Sequence, residues 1–324
     1  MKPRIYVDGQ EGTTGLRIHE HLAHRDDLEV LTIDPAKRKE VAERKRLLNE
    51  ADVVFLCLPD VASREAVTLI EQGRTRVVDA STAFRADDGW AYGLPELSRE
   101  YRGRIRTAQR VSNPGCHATA FLLGVAPLVA EGVIPPTAGL TSFSITGYSG
   151  GGKKMIAQYE APDASMKLEA PRHYALKLAH KHLPEMQKHA GLTRPPLFTP
   201  VVCDVHSGLA VETFLPEQLL AKKASPREVH AILAKHYAGE KFVRVMPFDP
   251  EMAEGLDEGC LDITACNGTN RADLFVVGHE AGNGLPAQVA VICRLDNLGK
   301  GASGAAIQTL NLMIGAEEGT GLTV

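Results

Sequence analysis

No stretch of this 324-residue chain approaches the ~18 consecutive apolar residues of a membrane-spanning helix. There is no basic excess either. Lys and Arg total 36 against 40 Asp and Glu, a formal charge of −4, which argues against a general nucleic-acid binder. The opening residues Met1-Lys2-Pro3-Arg4 run straight into Ile5-Tyr6-Val7, without the long apolar core and small-residue cleavage site of a signal peptide. The chain is therefore expected to be cytoplasmic, with no membrane partner. The six cysteines form no CxxC pair, and a chain this long needs no disulfide staples. No H-E-x-x-H occurs, and no repeat, low-complexity segment or charged tail stands out. A bound metal is not expected.

What is present is a change of texture along the chain. Arg4 to Asp8, Glu29 to Ile33, Val53 to Leu58 and Arg76 to Asp79 read as strands. Leu16 to Leu22, Lys37 to Leu48 and Ser63 to Glu71 read as helices between them, with Gly73 as a terminator. That alternation predicts an α/β fold with a Rossmann-like, doubly wound parallel sheet. The run Arg102, Arg104, Arg106, Arg110 reads as a solvated strand or loop. From about Leu140 onward the pattern is strand-rich. Thr141 to Thr146, Leu197 to Val205, Ala210 to Leu215, Ile263 to Cys266, Leu274 to His279 and Ala287 to Arg294 suit a mixed sheet in a second, α+β domain. Few amphipathic helices are left to cover both faces of that sheet, so a homo-oligomer, dimer or tetramer, is expected. Gly301 to Gly315 is helical in tendency.

Between the first strand and the first helix lies Gly9-Gln10-Glu11-Gly12-Thr13-Thr14-Gly15. Glycines there permit a tight turn and let a pyrophosphate approach backbone N–H groups at the helix N-terminus. Read this way, Gly9, Gly12, Thr13, Thr14 and Gly15 bind a dinucleotide; the alternative is a plain strand–helix turn. Two signals on the cofactor oppose each other. Asp34 ends the second strand, where an acidic residue would hold the ribose hydroxyls of NAD, yet Lys37-Arg38-Lys39 follows and suits a 2′-phosphate.

Five cysteines, Cys57, Cys203, Cys260, Cys266 and Cys293, sit in strand-like or nondescript surroundings and read as packing residues. Cys116 differs. It follows the turn chemistry of Asn113-Pro114-Gly115 and precedes the helical His117-Ala118-Thr119-Ala120-Phe121-Leu122. A thiol at that junction meets the positive end of a helix dipole, which favours the nucleophilic thiolate. His19, His21 and His24 have no common ligating face and read as solvated.

Ser112-Asn113-Pro114-Gly115-Cys116, downstream of the Gly9/Gly12/Gly15 loop, resembles the N-acetyl-γ-glutamyl-phosphate reductases, which share their architecture with the aspartate-semialdehyde dehydrogenases. Further matching segments are Asp79 to Arg85, Tyr92-Gly93-Leu94-Pro95-Glu96-Leu97, Gly147 to Lys154, His180-Lys181-His182-Leu183-Pro184-Glu185, and Asp296 to Gly304. The order is that of the shorter form of the family. The departure is His117, where the longer form usually carries tyrosine.

The resemblance implies NADPH-dependent reduction of N-acetyl-L-glutamyl 5-phosphate to N-acetyl-L-glutamate 5-semialdehyde, a step in arginine biosynthesis. It makes Cys116 the nucleophile and His180 the acid/base, with His182 as the alternative base or a contact for the leaving phosphate. It makes Arg85 the phosphate clamp, through a guanidinium fork that fits two phosphate oxygens. Without the resemblance, Arg85 reads as a surface ion pair with Asp87 or Asp88. Asn113, Ser149 and Gly150 would contact substrate, and Asn297 and Lys300 would sit near the nicotinamide. The implied division is a dinucleotide-binding domain of residues 1–114 plus 297–324 and a catalytic and oligomerisation domain of residues 115–296. Rival readings are an aspartate-semialdehyde dehydrogenase, a reductase of a carrier-linked amino-adipyl phosphate, and a non-catalytic nucleotide-binding regulator. The joint presence of Cys116, Arg85 and His180 argues against the regulator.

Overall fold

The computed structural model describes residues 2–9, 12–38, 40–71, 73–221, 224–248 and 256–324. Gln10 and Glu11 of the glycine loop, and Lys39 of the basic cluster, lie outside them. The chain forms two compact units, Met1–Pro114 with Ala302–Thr323, and Gly115–Gly301.

The first unit is a parallel sheet of β1 (Arg4–Asp8), β2 (Glu29–Leu31), β3 (Val53–Leu56), β4 (Arg76–Asp79), β5 (Ala91–Tyr92) and β6 (Arg110–Ser112). The order is β2-β1-β3-β4-β6-β5. Helices α1 (Thr13–Leu22), α2 (Val41–Glu50) and α3 (Asp60–Thr68) make the crossovers. The period of two along each strand divides its side chains between two layers. Ile5, Val7, Val53 and Phe55 pack with Ile18, Leu22, Ile105 and Leu310. Tyr6, Val54, Leu56 and Val77 pack with Leu47, Leu48 and Ala66. This is why Val53-Val54-Phe55-Leu56 is apolar without a break: the strand is covered on both sides. Each such side chain, fully buried, contributes about 1.5–3 kcal/mol.

Two expectations fail in this unit. Arg102, Arg104 and Arg106 stand on a helix, α4 (Arg99–Thr107), neither strand nor loop. Ser98 caps it by accepting a hydrogen bond from the Tyr101 N–H at 3.3 Å, and Ile105 is its buried anchor. Arginine is a good helix former, so the charges do not oppose the helix. The three N-terminal histidines are not uniformly solvated. His24 is exposed, while His19 and His21 are half-buried, the latter 3.3 Å from the Gly321 carbonyl.

The second unit is built on a mixed seven-stranded sheet, in the order β11-β14-β15-β10-β7-β9-β8. Its strands are β7 (Thr141–Gly147), β8 (Arg172–His173), β9 (Leu197–Cys203), β10 (Leu209–Pro216), β11 (Val243–Val245), β14 (Ala272–His279) and β15 (Gln288–Leu295). A separate small hairpin pairs β12 (Leu256–Asp257) with β13 (Cys260–Leu261). One sheet face receives the apolar helix α5 (Cys116–Ala130), packed so closely that a Cβ on Gly124 would lie 3.0 Å from Val291 Cγ1. The register places Phe143, Ile145, Phe214 and Ile292 on the opposite face, where Phe214 is 40% exposed and the others half-buried. Ile263 to Cys266 is a turn, not the expected strand. The Asp262 carboxylate accepts from both the N–H and the hydroxyl of Thr264 at 2.7 Å, an alternative to the sheet ladder.

Fully buried Asp273 is the charge centre of this unit. It accepts from Arg294 Nη2 at 2.9 Å and Arg244 Nε at 2.8 Å, with Arg271 Nε at 3.2 Å. Burial alone would raise its carboxyl, but the hydrogen bonds from Arg244 and Arg294 and the Arg271 charge hold it below the ordinary value. Among the described residues no helix is long and apolar enough to cross a membrane, and no His/Cys/Asp/Glu cluster could hold a metal.

Candidate active site

Cys116 is the first residue of the fifteen-residue helix α5. Gly115 caps it in an extended conformation, with no side-chain cap, and donates its N–H to Glu185 Oε2 at 3.1 Å. The positive end of the helix dipole is thus directed at the half-buried Cys116 sulfur. Four other thiols are governed by burial. Burial pushes those of Cys57, Cys203 and Cys293 up, and that of Cys266 to about 11.

Cys116 opens into a cavity of about 190 Å³ that His180, His117, Tyr174, Lys181 and Gly150 also line. His180 stands on the turn before α7 (Leu183–His189), where the His182 N–H donates to its Nδ1 at 3.2 Å. Ala175 and Leu178, just upstream, both have φ of 53°, left-handed backbone that non-glycine residues adopt at a cost of about 1–3 kcal/mol. His117 Nε2 lies 2.7 Å from the Tyr174 hydroxyl and Nδ1 lies 2.9 Å from Ser144 Oγ. Burial, then the charges of His180 and Lys181, lower the His117 pKa well below the ordinary value, so its ring is neutral. Burial also raises the Tyr174 phenol, helped by the neighbouring Cys116 charge.

Of the residues expected at substrate, the structure gathers Cys116, His180 and Gly150 on one cavity wall. Ser149 and His182 stand behind that wall. Ser149 Oγ accepts from Asn297 Nδ2 at 2.9 Å, while Asn297 Oδ1 accepts from the Gly208 N–H at 2.8 Å. His182 is 4% exposed, with its ring 4.7 Å from that of His180 and Nε2 4.0 Å from Glu185 Oε1. Glu185 therefore touches both the cap of the cysteine helix and the histidine turn. Asn297 and Lys300 belong to the second unit, and Lys300 is fully buried with Nζ 5.7 Å from the Phe242 ring. Tyr174 does not stand out in the sequence, and Gly301 appears there only as one glycine of the Asp296 to Gly304 segment. A Cβ on Gly301 would lie 2.7 Å from Cys116 Cβ, so the glycine of this π turn leaves room for the Cys116 side chain.

The first unit carries the other expected residues. Gly9 ends β1 with φ of +90°, and a Cβ there would lie 2.3 Å from the Cys57 carbonyl oxygen; only glycine fits. Gly12 then caps α1 without a side-chain hydrogen bond, followed by Thr13, Thr14 and buried Gly15. The buried Thr13 hydroxyl has no partner among the described residues. The loop lies where the strand order reverses, since β1 has β2 on one side and β3 on the other. An unspent hydroxyl, free N–H groups at a helix start and a glycine cradle fit a dinucleotide phosphate. Asp34 Oδ1 accepts the Ala36 N–H at 2.9 Å, which turns the chain into exposed Lys37 and Arg38. Asn113 is buried and donates to the Ala302 carbonyl at 3.0 Å; its Oδ1 has no partner among the described residues. Arg85 is buried rather than on the surface, and donates from Nη2 to the Ala80 carbonyl at 3.0 Å.

The model of the semialdehyde dehydrogenase NAD-binding domain matches residues 4–103, and that of the semialdehyde dehydrogenase dimerisation domain matches residues 116–297. Solved aspartate semialdehyde dehydrogenases share the fold. That of Francisella tularensis superimposes with a TM-score of 0.71 at 13% identity, over 96% of this chain and 99% of that one. Aspartate semialdehyde dehydrogenase II of Vibrio cholerae, complexed with ASA, gives 0.69 at 14% identity, over 97% and 98%. Fold and family models together define a member of the semialdehyde dehydrogenase class, with a nicotinamide-binding unit and a dimerisation unit. The sequence narrows the class. N-acetyl-gamma-glutamyl-phosphate reductase 2 of a Nostoc species is 46% identical over 99% of both chains, and the reductase of Sinorhizobium fredii is 43% identical over 98% of this chain and all of its own. The chain belongs to the N-acetyl-γ-glutamyl-phosphate reductase family.

Proposed function

We propose that the chain reduces N-acetyl-L-glutamyl 5-phosphate to N-acetyl-L-glutamate 5-semialdehyde with NADPH, one step of arginine biosynthesis. The observation that carries this reading is the Cys116 sulfur at a helix N-terminus in one small cavity with His180. The thiolate attacks the acyl carbon, a C–S bond forms, the C–O bond to phosphate breaks, and a thioester remains on Cys116. A reduced nicotinamide, when bound, supplies the hydride this chemistry requires. With Nδ1 accepting from the His182 N–H, His180 carries a proton on Nε2. From there it gives the proton to the substrate oxygen as negative charge builds on it, and takes that proton back when the C–S bond breaks, the thiolate leaves and the aldehyde forms.

Arg85 is the proposed phosphate clamp, Asn113 and Gly150 are proposed contacts for substrate, and Ser149 and His182 act through the residues they brace. The Gly9–Gly15 loop and Thr13 would receive the dinucleotide phosphates, and Asn297 and Lys300 would shape the nicotinamide end. Preference for NADP rests on Lys37, Arg38 and Lys39, and on Asp34 being engaged by the Ala36 N–H. The half-buried apolar face of Phe143, Ile145, Phe214 and Ile292 supports a homo-oligomer through the seven-stranded sheet.

The test is phosphate-dependent reduction of NADP or NAD with each of two aldehydes. N-acetylglutamate 5-semialdehyde with NADP should react fastest. Faster turnover of aspartate semialdehyde would assign the chain to the rival chemistry.

A further inference from the structure

We infer that Lys181 selects the substrate by pairing with the carboxylate at the far end of the acyl chain. The inference rests on the proposed reaction and goes beyond it by assigning the group that distinguishes an N-acyl amino acid semialdehyde from a simple aldehyde. The cavity holding Cys116 is small, about 190 Å³, and its wall is chemically lopsided. Besides Lys181, the described lining side chains are a thiol, two imidazoles, a phenol, a hydroxyl, a thioether and an isopropyl group, together with glycines. Lys181 alone among these bears a fixed charge. The imidazole beside Cys116, His117, is held neutral by burial first, then by the charges of His180 and Lys181.

The proposed substrate carries two anionic ends. Its acyl phosphate must meet the sulfur, and Arg85 is the proposed partner there. Its carboxylate lies a short carbon chain away, and a cavity of this size obliges both ends to stay near Cys116. An unpaired carboxylate in such a space would lose hydration without compensation, and Lys181 supplies it. The backbone that carries Lys181 is fixed. Lys181 is flanked by His180 and His182, whose turn is closed by the His182 N–H to His180 Nδ1 contact of 3.2 Å and the Leu183 N–H to His180 carbonyl bond of 3.0 Å. The side chain is exposed in the protein alone, so it reaches the anion without a buried charge being stored beforehand.

The experiment compares the wild type, Lys181→Met and Lys181→Arg in the oxidative direction. Two aldehydes are used: N-acetylglutamate 5-semialdehyde, and 4-acetamidobutanal, which is the same molecule without the carboxylate. Wild-type turnover of the first with phosphate establishes the proposed reaction; its absence would remove that reading, not just this one. Given that turnover, Lys181→Met should raise KM for N-acetylglutamate 5-semialdehyde roughly ten- to a hundredfold, the range for one charge-assisted hydrogen bond. kcat/KM for 4-acetamidobutanal and KM for phosphate should stay within about twofold, and Lys181→Arg should restore most of the loss. Equal losses on both aldehydes would make Lys181 a general support of the site and overturn the inference. So would a raised KM for phosphate, which would make it a phosphate ligand, or unchanged kinetics throughout.

Discussion

Two helix starts in this molecule look alike and differ in the side chain that follows the cap. Helix α1 follows Gly12 and α5 follows Gly115; both caps are glycines in extended conformation with no side-chain hydrogen bond. Both set the positive end of a helix dipole beside the residue after the cap, and at α5 the Glu185 carboxylate accepts the Gly115 N–H. At α1 the next residue is Thr13, whose buried hydroxyl has no partner among the described residues. At α5 the next residue is Cys116, which carries its own anion once ionised. On the proposed reading the first start receives a phosphate and the second makes a nucleophile. The difference rests on a single side chain, set by what it can become at neutral pH.

The largest effect should come from Cys116→Ser. A hydroxyl titrates far above a thiol, so the α5 dipole cannot make it a comparable anion, and turnover should vanish while NADP binding by fluorescence titration persists. His180→Ala should lower kcat by about 10²–10⁴, the range for a positioned proton carrier. Gly9→Ala breaks the other start. The new Cβ would sit 2.3 Å from the Cys57 carbonyl oxygen, so dinucleotide binding should be lost while iodoacetamide still labels Cys116 before Cys260. Gly301→Ala is subtler, because its Cβ would press on Cys116 Cβ at 2.7 Å. Displacing a reacting group by a fraction of an ångström to about 1 Å costs up to 10²-fold, so kcat should drop with cofactor binding unchanged.

The remaining predictions concern stability of the second unit. Asp273→Asn leaves Arg244, Arg271 and Arg294 without their shared anion, and should cost about 3–5 kcal/mol in urea denaturation. In the wild type the Asp273 carboxyl is held low, so its contribution is present above the unfolded carboxyl's range and is lost as pH falls through the folded value. His117 works at a higher pH. Its folded pKa is depressed, so below about 6.5 the unfolded chain binds a proton that the folded chain refuses. Stability should fall as pH drops from about 7 to 5, by up to ~1.4 kcal/mol per pH unit for this one group. His117→Phe should flatten that slope; an unchanged slope would mean that other groups set it.

Much of this was legible in the residues because it depends on local chemistry. An unbroken apolar run such as Val53 to Leu56 must be covered on both sides, a glycine triplet between strand and helix must turn tightly, and Asn-Pro-Gly before a helix must expose the next side chain. Nothing local announced Tyr174, the neutral state of His117, or the place of Gly301 beside Cys116. Each depends on segments far apart in sequence. Gly301 lies 2.7 Å from Cys116 once a Cβ is imagined on it, yet the chain between them spans nearly all of the second unit. Ile263 to Cys266 had the pattern of a strand but became a turn, because the Asp262 carboxylate satisfied the backbone before a neighbouring strand could. Hence the residue types, the turns and the order of elements were determined by the sequence itself. Which imidazole is neutral, which glycine makes room and which lysine faces the cavity were decided by tertiary structure, since burial and distance exist only after the chain has folded.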